Sequence, residues 1–134
     1  NKSVYLLTNY VSYLDEAIQL YQKGWAMFDD YYNGENYATC SFLKSKFEED
    51  EKMKTYYDMN AKIIFQRVID VILSTLQDEE EDNKWKYATL SNSYLAIGNN
   101  AEASKYEMLF LEQATPFDKE SFNKTKKIFT DEND

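Results

Sequence analysis

Histidine is absent from the 134 residues, and cysteine occurs once, at Cys40. The first absence removes the commonest general base and the commonest metal ligand. A single cysteine excludes an internal disulfide and a cysteine-rich zinc site. With no imidazole to activate it, Cys40 reads as a small buried apolar residue and not as a nucleophile. Glycine occurs three times and proline once, which is too sparse for a turn-rich β sandwich and favours long helices. Gly24, Gly34 and Gly98 are too far apart to form a phosphate-cradling loop. Long hydrophobic runs are missing as well. The greasiest stretch, Ile63 to Leu76, is interrupted by Gln66, Arg67 and Asp70, and a bilayer span needs roughly 18 to 20 apolar residues. The sequence therefore predicts no catalytic residues, no metal, no cofactor and no membrane insertion.

Acidic charge is plentiful. Aspartate and glutamate number 24 against 15 lysines and arginines, a formal charge of −9. A nucleic-acid backbone repels such a chain, so the 12 tyrosines read as core and groove aromatics and not as a platform for bases. The acids fall in exposed runs, whereas a glycosidase needs two opposed across a cleft. The run Asp78 to Asp82 lacks the glycine and spaced oxygens of a calcium loop and reads as a solvated connection leading into the next helix. Hydrophobic content of 43% with 16% aromatics supplies a core and excludes disorder. The length suits one domain, 1–134, or a few repeats from a longer array. A start at Asn1 without Met reads as a cut or processed piece, and a removed signal segment stays open. The sequons at Asn1 and Asn123 are short patterns that arise by chance. An unpaired cysteine and an acidic, lysine-containing surface point to a reducing cytoplasm.

The apolar periodicity is helical throughout. A short first helix is expected over Asn1 to Tyr10. Ser12 and Asp15 then resemble a capping box, which starts a helix carrying Leu14, Ala17, Ile18, Tyr21, Trp25 and Phe28 on one face. Gly24 inside it implies a close approach by another backbone. A break at Asp29 to Asn33 precedes a helix over Gly34 to Lys46, with Tyr37, Cys40, Phe42 and Leu43 as its buried positions. The acids of Glu48 to Glu51 open the longest helix, with Met53, Tyr57, Ala61, Ile64, Phe65, Val68, Ile72 and Leu76 in register. Two helices, Lys84 to Ile97 and Ala101 to Ala114, flank a stop at Gly98-Asn99. Thr115-Pro116 caps a last helix over 117–129, and Thr130 to Asp134 should fray. Seven helices, no strand and short links define an all-α architecture of antiparallel hairpins.

The segment 84–116 carries a more specific pattern. Tyr87 is followed at +3 by Leu90, at +4 by small Ser91 and at +7 by Tyr94, with Gly98, Ala103 and Pro116 further on. This is similar to the tetratricopeptide repeat. Ala103 is small so that its helix can press on Ser91, while Tyr87, Leu90, Tyr94 and Ile97 form a seam. The pattern departs at Glu107, where the repeat usually carries an aromatic; Tyr106 and Phe110 stand close by. Earlier, Asp15 to Trp25 reads D-E-A-I-Q-L-Y-Q-K-G-W, followed by Y-Y-N-G-E-N-Y-A-T from Tyr31 to Thr39. That pairing resembles the TRAF-binding, repeat-like region of apoptosis-signal-regulating kinases and related bacterial repeat proteins. Glu35 departs from that pattern, as does the charged stretch from Lys44 to Lys54. The resemblance implies a TPR-like α-solenoid fragment that binds proteins, and it brings no kinase residues.

In such an array the first helices of the hairpins line a concave groove. The stripe Trp85, Thr89, Asn92 and Ala96, with Asn36 and Lys44 on the equivalent earlier helix, is therefore the expected partner-binding surface. Trp85 offers contact area, and Asn92 offers a donor and an acceptor. The reading is a non-catalytic module that takes a peptide or helix of a protein partner. A spacer or oligomerisation domain of a larger signalling or regulatory protein is the alternative, and an acidic hydrolase is a distant rival.

Overall fold

The computed structural model describes the backbone of residues 2–28, 30–76 and 83–130, and the side chains of 10–26, 30–76 and 83–130. The expectations for Asn1, for the side chains of Val4, Leu6, Leu7 and Phe28, for the acidic run Asp78 to Asp82 and for residues 131–134 lie outside the described residues. Six α-helices make up the described secondary structure: α1 Lys2–Phe28, α2 Tyr31–Phe47, α3 Glu51–Thr75, α4 Asn83–Ala96, α5 Asn100–Leu111 and α6 Pro116–Thr130. The all-α expectation holds, with six helices in place of seven. The expected start at Ser12 is the difference. The apolar spacing Val4, Leu7, Val11, Leu14 runs through it without glycine or proline, so a capping-type side chain alone does not end a helix that its neighbours continue. The chain divides into two units, Asn1–Arg67 and Val68–Asp134.

In the first unit, α1 buries Leu14, Ala17 and Trp25, and α3 buries Ala61, Ile64 and Phe65. Full burial of a Leu, Ile or Phe side chain contributes about 1.5–3 kcal/mol relative to exposure. The Arg67 guanidinium sits 5.9 Å from the Trp25 ring centre. α2 packs differently. Its buried face is Gly34, Tyr37, Ala38, Ser41, Lys44 and Ser45, a stripe at helical spacing made mostly of small and polar residues. Cys40, Phe42 and Leu43, expected inside, are only half-buried. Small side chains let helices approach closely, so the face with least bulk turned inward.

The corner between α1 and α2 is fixed by Asp30 and Asn33. Asp30 caps α2, accepting from the Asn33 backbone N–H at 2.8 Å and from its side-chain amide at 2.9 and 3.2 Å. The Asn33 amide occupies the space beside Gly24: a Cβ there would lie 2.7–2.9 Å from its atoms. The close approach expected at Gly24 is thus made by a side chain and not by a backbone.

In the second unit, the C-terminal part of α3 buries Val68, Ile69 and Ile72. α4 and α5 form the hairpin. α4 ends in a Schellman motif, with Asn99 N–H donating to Tyr94 C=O at 2.9 Å and Gly98 N–H to Leu95 C=O at 3.1 Å. Gly98 has φ +91°, a left-handed conformation that glycine adopts without strain. Asn99 then caps α5 by accepting from Glu102 N–H at 3.3 Å. Ser91 and Ala103 meet as expected: the buried Ser91 hydroxyl donates to the Ala103 carbonyl at 2.7 Å. Tyr106 stacks on Tyr87 and Tyr94 at 6.1 and 5.8 Å. Phe110 and Phe122 stack at 4.8 Å in a core with Ala88. Glu107, standing where an aromatic was looked for, accepts from the Lys126 ammonium of α6 at 2.7 Å, and Tyr106 and Phe110 supply the rings instead.

Candidate functional site

The first unit contains an open cleft of about 330 Å³ lined by Asp15, Ile18, Gln19, Gln22, Tyr37, Tyr56, Tyr57 and Asn60. α1 supplies Asp15, Gln19 and Gln22 at steps of four and three, one polar stripe beside the buried one. α3 supplies Tyr56 and Asn60 at a step of four, with Tyr57 beside them. The tyrosine rings of 56 and 57 lie 5.3 Å apart at 70°, an edge-to-face pair.

A directed hydrogen-bond chain fixes the floor. The Ser41 hydroxyl donates to the Tyr57 carbonyl at 2.9 Å. Its proton being used, Ser41 Oγ accepts from the Asn60 amide at 3.4 Å. The same amide nitrogen donates to the Tyr37 hydroxyl at 2.8 Å. Asn60 is thereby oriented, with its carbonyl oxygen as the end left to offer. Tyr37, having accepted, keeps a hydroxyl proton to give.

An ion cluster borders the cleft. Lys44, whose side chain is only 9% exposed, places Nζ 3.0 Å from Asp15 Oδ1 and 3.9 Å from Glu48 Oε2. Its ammonium also lies 5.8 Å from the Tyr57 ring centre. Asp15 remains 48% exposed. Burial pushes the Tyr57 hydroxyl pKa up; Lys44 pulls it down in part, and Asp15 and Glu48 push it up again. A second, shallower hollow of about 210 Å³ on α1 is lined by Tyr13, Glu16, Ala17, Leu20 and Tyr21.

The residues expected to line a groove are distributed otherwise. Lys44 is buried and its charge is held within the chain. Asn36 is half-buried and donates to the Tyr32 carbonyl at 2.9 Å. In the second unit, Trp85 is 41% exposed, with one side against Phe110 at 5.6 Å. Thr89 and Asn92 are buried, 5% and 3% exposed, and Ala96 is half-buried. Polarity made Thr89, Asn92 and Lys44 look outward-facing. Packing put them inside, and Asn92 Oδ1 and Ser93 Oγ are buried without a hydrogen-bond partner among the described residues.

The cleft residues Gln19, Gln22, Tyr56 and Asn60 were missed by the sequence reading. Their signal was a polar stripe running alongside each apolar stripe, which a search for hydrophobic periodicity discards. Among the described residues, no group of three or more cysteines or carboxylates is gathered as a metal site. No described helix is long and apolar enough to cross a membrane. No family model matches the chain, nor does any curated protein or solved structure.

Proposed function

We propose that the chain is a non-catalytic protein-interaction module of TPR-like helical hairpins, working in a reducing cytoplasm, and that it captures a peptide segment of a partner protein. The cleft of the first unit carries this reading. Its Gln19, Gln22 and Asn60 amides offer donors and acceptors of the kind a peptide main chain needs. Tyr56 is 56% exposed beside them and gives apolar contact area. The hydrogen-bond chain through Ser41, Asn60 and Tyr37 holds the site before a partner arrives, which lowers the ordering cost of binding. The tight Ser91–Ala103 contact and the Gly98 turn support the repeat-like construction of the second hairpin. Trp85, with its half-open ring, is a second contact point in the second unit.

Panning a phage-displayed peptide library on the whole chain tests this. Enriched peptides are expected to bind with micromolar affinity and to weaken about tenfold on Q22A or Y56L, with helical circular dichroism unchanged. W85A reports whether the second unit takes part. If no peptide is enriched over blank support, or if enriched peptides bind Q22A and Y56L as tightly as the parent chain, the reading fails. The hairpins would then serve as a spacer or oligomerisation element.

A further inference from the structure

Building on that reading, we infer that the cleft between Asp15, Tyr56, Tyr57 and Asn60 selects a cationic side chain, lysine or arginine, of the bound peptide. Four features of the site favour a cation over a neutral or acidic group.

Charge comes first. Lys44 faces two carboxylates, Asp15 and Glu48, so this cluster has one negative charge in surplus. Asp15 is the carboxylate that also lines the cleft, and about half of its surface is open. A second cation can approach it without displacing Lys44. Ring geometry is the next feature. Tyr56 and Tyr57 meet at 70° with centres 5.3 Å apart, so two aromatic walls stand nearly at right angles beside the carboxylate. A cation against a tyrosine face gains about 0.5–1 kcal/mol when exposed, and more when desolvated. Lys44 at 5.8 Å from the Tyr57 ring shows that one of the two rings already accepts an ammonium within the chain, and Tyr56, 56% exposed, leaves the other open.

Acceptor polarity is the third. Asn60 commits its amide nitrogen to Tyr37 and Ser41, which leaves its carbonyl oxygen for the cleft. That oxygen and the Asp15 carboxylate are acceptors, suited to the five donors of a guanidinium or the three of an ammonium. Last is the field of the whole chain. A net charge of −9 draws basic segments in and turns acidic ones away.

The test titrates the whole chain with acetyl-Gly-Arg-Gly-amide, its neutral citrulline counterpart and acetyl-Gly-Glu-Gly-amide, following the side-chain amide NMR signals of Gln19, Gln22 and Asn60. The arginine peptide is expected to give saturable shifts in the millimolar range. Citrulline should bind several-fold more weakly, and the glutamate peptide should give no shift. D15N, which keeps an oxygen near Lys44 but drops the charge, should abolish the preference for arginine over citrulline. Y56L, which leaves the ion cluster alone, should weaken the arginine peptide more than the citrulline one. Equal affinity for arginine and citrulline, or an unaltered preference in both variants, overturns the inference. Library peptides that bind the cleft but contain neither lysine nor arginine would overturn the charge selection while leaving peptide capture standing.

Discussion

A glycine inside a helix ordinarily costs about 1 kcal/mol relative to alanine. Gly24 is occupied ground, because the Asn33 amide that braces the α2 cap lies where a methyl would go. Asn33 cannot swing away without losing its bonds to Asp30. G24A is therefore expected to lower the melting temperature despite its better helix propensity. In an N33A background the same change should raise it, with a stability gain near the propensity difference of about 1 kcal/mol. Thermal melts of the four chains form a double-mutant cycle, and additivity would show that Asn33 is not what reserves the space. Single residues also show how far sequence can be read. Ser91 and Ala103 were legible because a small residue opposite a small one, among aromatics, has few other uses. Lys44 was not: an isolated lysine looks solvated, and only the fold brings Asp15 to within 3.0 Å of it.

Helix ends were more legible than helix faces. Gly98-Asn99 stops α4, and Thr115-Pro116 starts α6. The structure adds that Thr115 and Asp118 form a reciprocal box. The Asp118 N–H donates to Thr115 Oγ1 at 3.1 Å, and the Thr115 N–H donates to Asp118 Oδ2 at 3.0 Å. The same carboxylate oxygen accepts from the Lys84 ammonium at 2.7 Å, which ties α6 to the start of α4. The Lys84 bond, then the Thr115 backbone bond, hold the Asp118 pKa below its usual value. A depressed carboxylate adds stability above the pKa of the unfolded chain and loses it as pH falls through the folded value. Melts across the acid range should thus show the parent chain losing an advantage over D118N as pH drops. A gap that stays constant with pH would remove Asp118 from the account. The face of α2 shows the opposite limit. Its inward stripe is Gly34, Ala38, Ser41 and Ser45 around Tyr37 and Lys44. A hydrophobic count favours Tyr37, Cys40, Phe42 and Leu43, of which only Tyr37 is buried, because it weighs greasiness and not closeness of approach.

Buried tyrosines are expected to weaken the fold at alkaline pH. Burial raises the pKa of Tyr10, Tyr21, Tyr31, Tyr57 and Tyr94 above the ordinary value. A phenol whose folded pKa exceeds its unfolded pKa gives stability that is complete below about pH 10 and is lost as pH rises through the folded value. Every phenolate formed also adds to a charge that is already −9 at neutrality. Helical signal and tyrosinate absorbance are expected to change together above that pH, over a range steeper than independent phenols allow. Smooth titration with intact helices would show that burial of these hydroxyls contributes little.

Cys40 has one practical consequence. It is half-buried on α2, and burial raises its thiol pKa. The thiolate that reacts with maleimides or disulfide reagents is therefore scarce at neutral pH. Labelling of this sole sulfhydryl at neutral pH should run more slowly than that of an unburied thiol, and should quicken when the helices are unfolded. A single unmodified chain thus carries its own chemical reporter of unfolding around α2.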